Sequence, residues 1–212
     1  MANKDLQESV LVVDRSVIDP LCTGVFTRGA AKIKAATLSK CHFLERNIAE
    51  HDFTHKQVIP YVVIRHQDRY LLIQRTSKQT EKRLHNLYSL GVGGHINDED
   101  VFRQYGDVIT AGMRRELTEE FQVEAEESCE LVGVINDDST EVARVHMGLV
   151  YVLTTGSPDF RVVEVDKHTA SWKTVEEMAD YYEGMESWAK IVHDFVVCAG
   201  SEEREKRWAV TA

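Results

Sequence analysis

Glu116, Glu119 and Glu120 stand in the run Arg115-Glu116-Leu117-Thr118-Glu119-Glu120. If this run is helical, the three carboxylates lie at i, i+3 and i+4 and crowd one face. Like charges at that spacing repel, and each resists ionisation unless a cation neutralises the group. Hard divalent ions such as Mg²⁺ take oxygen ligands of this kind, usually a few carboxylates together with substrate phosphates. The spacing therefore points to a metal-assisted reaction at a phosphate ester or anhydride. A solvated acidic helix face has the same pattern, and the triplet alone does not separate the two.

The surrounding residues add a second signal. Upstream lie Gly91, Gly93 and Gly94, and Val123 follows the acidic run. Together with residues 111–120 they resemble the Nudix box of the Nudix hydrolases. That box is a glycine, five residues, a glutamate, seven residues, then Arg-Glu-aliphatic-any-Glu-Glu-any-Gly-aliphatic. Arg115 through Glu120 match in full, Val123 fills the last aliphatic place, and Gly94 is the opening glycine. Three positions depart from the pattern. Eight places before Arg115 stands Asp107, where the family has glutamate. Six places after Gly94 stands Asp100, so the segment carries about seven extra residues, an insertion of a kind that surface loops absorb at little cost. Gln122 replaces the final glycine, whose usual task is a helix C-cap at positive φ, unless the helix runs a turn further.

The resemblance implies an α+β fold, the Nudix-type α/β/α sandwich with a mixed sheet, and hydrolysis of a diphosphate linkage in a nucleoside diphosphate derivative. Carried over by position, Glu116, Glu119 and Glu120 are the metal ligands, for Mg²⁺ or Mn²⁺. Arg115 orients them, with Asp107 as its salt-bridge partner. The Gly93 and Gly94 backbone can approach a metal or phosphate because no side chain intervenes. The general base is left open among Glu120, Asp138, Glu141 and Glu164. His95 either contacts phosphate or caps the glycine turn. Arg75 either reaches a substrate phosphate with its planar fork or makes a surface ion pair. Lys82, Arg83 and His85 form a basic loop that would steer an anionic substrate or remain solvated. Asp137 and Asp138 fit turn chemistry as well as a site. Tyr61 and Tyr88 fit base stacking or core packing. A narrower resemblance, carried by Lys56-Gln57-Val58-Ile59-Pro60-Tyr61, Gly93-Gly94-His95-Ile96 and Ile135-Asn136-Asp137-Asp138, is to a subgroup described only as predicted phosphoesterases.

These residues need elements to hold them. Apolar residues Met113, Leu117 and Phe121 make a stripe beside the acidic face, so a helix over 108–121 can pack on a sheet. Residues 58–65 and 70–74 read as a hairpin, and 131–135 and 146–153 as further strands. Short strands are expected at 10–13 and 161–165, and helices at 30–38, from 172 onward with a Thr174/Glu177 capping box, and at 186–199. Residues 41–52 are polar with scattered apolar anchors. The expected organisation is an N-terminal extension, 1–57, packed on a Nudix domain, 58–212.

Composition bounds the rest. The 212 residues carry a formal net charge of −10, which argues against a nucleic-acid backbone as main partner but not against a nucleotide. No apolar run is long enough for a membrane span, and the first residues lack an apolar signal core, so the expected location is cytoplasmic. Cys22, Cys41, Cys129 and Cys198 are scattered without a C-x-x-C pair and read as reduced packing residues. His42, His51 and His55 lack the spacing of a zinc helix. The expected partner is a small nucleotide-like diphosphate, with a homodimer suggested by the resemblance alone. Two other classes remain: a Nudix module that senses a nucleotide or pyrophosphate without cleaving it, and an isoprenoid diphosphate isomerase. The isomerase needs a cysteine near the glycine turn, and residues 91–95 have none.

Overall fold

A computed structural model of the protein describes residues 8–76 and 86–198. The chain opens with strand β1 (Ser9–Asp14), helix α1 (Arg15–Ile18), β2 (Phe26–Thr27), α2 (Ala31–Lys40), β3 (His42–Glu45) and α3 (Arg46–Ala49). The hairpin β4 (His55–His66) and β5 (Arg69–Arg75) follows, then β6 (Tyr88–Ser89), a 3-10 turn (Asp98–Phe102) and α4 (Val108–Glu120). The remainder is β7 (Phe121–Val123), β8 (Glu126–Ile135), α5 (Glu141–Arg144), β9 (His146–Thr155), β10 (Phe160–Val162), β11 (His168–Thr174), α6 (Val175–Met178) and α7 (Ser187–Val192).

Nine strands make one mixed sheet, in the order β11-β5-β4-β9-β8-β2, with β1 joined to β3 and β4 and β6 joined to β5. The central pair β4·β9 is parallel, from Gln57↔His146 to Arg65↔Thr154, whereas its neighbours β4·β5 and β8·β9 are antiparallel. A strand covered on both faces must be apolar where it is covered, and residues 58–64 of β4 are an unbroken apolar run. Its Val58, Val62 and Ile64 point into a core shared with Met113, Leu117 and Phe121 of the α4 side. Its Tyr61 and Val63 point into the opposite core, with Ala189 and Val192 of α7. The result is the α+β sandwich with a mixed sheet that the sequence leads one to expect. Tyr61 is therefore a core residue, 3% exposed, and Tyr88 packs edge-on against Tyr181.

Several local expectations are corrected. Trp172 and Lys173 lie in β11, and the helix starts only at Val175, after Thr174 has accepted the Glu177 N–H in a complete capping box. Residues 41–52 hold β3 and α3, because residues 42–45 pair with β1. The last helix changes type along its length: α7 runs directly into a π-helical turn at His193–Val197, and residue 199, its expected end, lies outside the described residues. Residues 12–14 pair with residues 55–57 of β4, so the N-terminal region shares the central sheet. Among the described residues no helix is long and apolar enough to cross a membrane.

Candidate active site

Helix α4 carries the acidic triplet, and its ends are fixed by side chains. Asp107 is the N-cap: its Oδ1 accepts the Thr110 N–H at 2.9 Å, and its Oδ2 lies 2.9 Å from Lys34 Nζ. Buried Ile109, Met113 and Leu117 seat one side of the helix against the sheet. The helix stops at Glu120 without a glycine, and the idea of an extra turn is overturned. Phe121 turns into extended backbone, φ −140°, and Gln122 belongs to β7, so no left-handed residue is needed there. Positive φ occurs later, at Ala125.

Arg115 does not take Asp107 as its partner. Its Nε and Nη2 donate to Oδ1 and Oδ2 of Asp100, each at 2.9 Å, in a buried bidentate pair. Asp107 is occupied by the helix N-terminus and Lys34, about two helical turns before Arg115. The 3-10 turn brings Asp100 over α4 at Gly112, where a Cβ would stand 2.8 Å from Ile96 Cγ1 and 3.0 Å from Asp100 Oδ2. Measured from Gly94, Asp100 holds the position of the box glutamate, and the extra residues follow it. Arg115 then distributes its remaining protons: Nη1 to Glu116 Oε1 at 2.6 Å and to Glu119 Oε2 at 3.3 Å, Nη2 to the His95 carbonyl at 2.8 Å. One guanidinium thus ties the glycine turn to the acidic face.

The glycine turn lies directly on that face. A Cβ on Gly94 would stand 2.3 Å from Glu116 Oε2, and one on Gly93 would stand 2.2 Å from the Pro60 carbonyl oxygen. Only glycine permits this approach. Glu120 sits deeper, with Oε2 3.3 Å from His168 Nε2; Glu164 Oε2 is 3.8 Å from the same nitrogen. Burial pushes the Glu120 carboxyl up to about 8, with Glu116 and Glu164 adding to the rise and Arg75 opposing it. Burial also raises Glu116, against the pull of Arg115. His168 is driven down to about 4 by burial and by Arg75, and so is a neutral imidazole. Partly buried carboxylates whose mutual repulsion is incompletely offset are a donor set that suits a hard divalent cation. Glu119, more than half exposed, opens the set to solvent.

The other residues singled out from sequence divide between this cluster and elsewhere. Arg75 borders it, but its Nε is 3.3 Å from Glu186 Oε2; the pair is largely buried rather than on the surface. Glu186 also accepts the Ser89 hydroxyl at 2.6 Å. His95 offers its backbone carbonyl to Arg115, while its ring turns to His146, Nε2 to Nε2 3.4 Å. Asp138 is engaged by Lys56 Nζ at 2.8 Å and Arg15 Nη2 at 2.5 Å, an ion-pair group at the base of β4. Asp137 accepts the Ser139 N–H and hydroxyl, which is turn chemistry. Glu141 is exposed in the first turn of α5. Lys82, Arg83 and His85 lie outside the described residues. Sequence reasoning missed His168, because β11 was not read as a strand, and Asp100, although the count from Gly94 lands on it.

No protein-family model matches the sequence. Protein YmaB of Bacillus subtilis is 34% identical over 180 residues, a match covering 82% of this chain and 87% of that one. The crystal structure of Tm1382, a candidate Nudix hydrolase, superposes with a TM-score of 0.75 at 34% identity over 90% of this chain and 98% of its own. The Nudix domain of Shewanella oneidensis NrtR, solved with ADP-ribose, shares the fold at a TM-score of 0.51 and 14% identity, over 73% of this chain and 88% of that one. With the glycine turn, the arginine and the three glutamates assembled as the box requires, and a relative this similar along nearly its whole length, the chain belongs to the Nudix hydrolase family.

Proposed function

We propose that the protein hydrolyses a phosphoanhydride, a diphosphate linkage in a nucleoside diphosphate derivative or related compound, with Mg²⁺ or Mn²⁺ as cofactor. The observation that carries this is the packing of Glu116 against the Gly94 backbone, with Glu119 and Glu120 on the same helix face and Arg115 bracing the set. Glu116, Glu119 and Glu120 would hold the cation. When bound, it neutralises phosphate charge and acidifies a coordinated water. Arg115 keeps two of the carboxylates in place and is itself aligned by Asp100. Neutral His168 lies 3.3 Å from Glu120 and 3.8 Å from Glu164, so a proton leaving the attacking water would find a carboxylate beside that imidazole. Glu164 is therefore the proton acceptor in this reading, and Glu120 serves the cation. Asp138, engaged by two cations, contributes to the scaffold. Backbone N–H groups at Gly93 and Gly94 meet the substrate without side-chain obstruction, and the turn is held by Arg115 through the His95 carbonyl.

The deciding experiment is product analysis by mass spectrometry on a panel of nucleoside triphosphates, dinucleoside polyphosphates, nucleotide sugars, ADP-ribose, dinucleotide cofactors and coenzyme A. Each is run with Mg²⁺, Mn²⁺ or chelator. Metal-dependent cleavage of one class, lost in Glu120→Gln, supports the reading and names the substrate. No cleavage of any compound, with tight binding of one, would replace it with the sensor.

A further inference from the structure

Beside the carboxylates of α4 lies a second group of ligand-type side chains that the proposed hydrolysis does not use. Glu50 follows α3, His95 follows the glycine turn, and His146 opens β9. Each offers one ligand atom, and the three atoms lie within 4.8 Å of one another. All three residues are partly buried. They come from segments far apart in sequence, brought together where β1, β4 and β9 meet.

The hydrogen bond from His146 to Val142 fixes the tautomer of its ring. Nδ1 lies 2.7 Å from the Val142 carbonyl oxygen, which can only accept, so Nδ1 carries the proton. Nε2 of the neutral ring then presents a lone pair. It points at His95 Nε2, 3.4 Å away. An imidazole oriented by donating its other N–H to a backbone carbonyl is the usual arrangement of a metal-binding histidine. The separation is informative as well. Two nitrogens each about 2.0–2.1 Å from one ion at a tetrahedral angle stand roughly 3.4 Å apart. At an octahedral right angle they would be closer, about 3.0 Å. Glu50 adds a carboxylate oxygen to the two imidazoles, and one of its oxygens is steadied by Arg46 Nε at 3.4 Å. Gln57, beside His146 in the β4·β9 register, is 1% exposed, and neither polar atom of its amide has a hydrogen-bond partner among the described residues.

We propose that Glu50, His95 and His146 bind a divalent transition-series cation of the zinc class, at a site separate from the carboxylates of α4. Imidazole with one carboxylate selects such ions over Mg²⁺, which prefers oxygen alone. Three protein ligands leave a fourth position open. The site would tie the N-terminal region, through Glu50, to the glycine turn.

The test uses the full chain stripped with chelator and titrated with Zn²⁺ by calorimetry in excess Mg²⁺, with Co²⁺ absorption as a second probe of ligand geometry. We expect one Zn²⁺ per chain and a tetrahedral Co²⁺ spectrum, both retained in Glu120→Gln, which disturbs only the α4 site. In His146→Ala and in Glu50→Gln the affinity should fall by at least about tenfold. Glu50→Gln preserves shape at a helix end, and circular dichroism confirms that each variant is folded. Absence of Zn²⁺ binding by the wild-type chain, or unchanged affinity in both folded variants, overturns the proposal whatever the outcome of the hydrolysis assays.

Discussion

The Arg115 guanidinium meets the Asp100 carboxylate fork to fork, and the contact is buried: the two side chains are 9% and 0% exposed. Such a pair contributes little net stability when intact, yet losing one partner strands the other charge. Asp100→Ala should therefore cost about 3–5 kcal/mol in urea unfolding and depress turnover strongly, since Arg115 would no longer align Glu116. Asp107→Ala removes a helix cap and the Lys34 contact, and should cost about 1 kcal/mol with turnover largely kept. Equal effects of the two would mean that the guanidinium is not organised by Asp100.

The two glycines should fail differently. An alanine Cβ at 93 meets backbone, the Pro60 carbonyl, whereas one at 94 meets the end of the Glu116 side chain. Gly93→Ala should lower stability by about 1–3 kcal/mol through strain in the sheet. Gly94→Ala should unfold near the wild-type midpoint and lose on the order of a hundredfold in kcat, because Glu116 must swing aside. Thermal unfolding and steady-state kinetics on both variants check the contrast.

Acid should weaken the base of β4. Burial opposes ionisation of Asp138, but hydrogen bonds from Arg15 and Lys56 outweigh it and hold the carboxyl below its ordinary range. A depressed acid contributes stability above its unfolded pKa and loses it as pH falls through the folded one. The stability difference between wild type and Asp138→Asn should be flat above about pH 5 and shrink below about pH 4. Its plateau should be about 2 kcal/mol, less than for a fully buried pair because the carboxylate is nearly half exposed. A difference that grows in acid would contradict the ion-pair assignment.

Removal of the divalent ion should leave the wild-type protein less stable. A ligand present at a hundred times its Kd adds about 2.7 kcal/mol, or roughly 5–10 °C in a chain of this size. Calorimetric scans with Mg²⁺ and with chelator should show that gain, and Glu120→Gln should forfeit most of it. Without metal, the same variant should melt above wild type, since it no longer buries a carboxyl shifted up to about 8.

Much of this site was legible in the chain. The acidic triplet, the glycines and the core-facing side of α4 follow from spacing, and the apolar run over residues 58–65 reads as a strand. What was not legible depends on register over long separations. Asp100 and Asp107 compete for one role in sequence, and only the 3-10 turn over Gly112 decides between them. His168 is hidden because Trp172 and Lys173 run straight into the capping box, which masks the strand they close. His146 meets His95 only because β9 lies parallel to β4, a relation that no local pattern encodes.

The same parallel pairing has a consequence for how the chain is made. Residues 57–65 leave the ribosome about ninety residues ahead of their partners in β9, which at roughly 5–20 residues per second is a delay of about 4–18 seconds. Helix α4 is complete during that wait, but half the floor beneath it is absent. The nascent protein must therefore carry an apolar strand with one open edge until β9 arrives, and pairing of that edge with a wrong partner is the step at which chaperones would matter most.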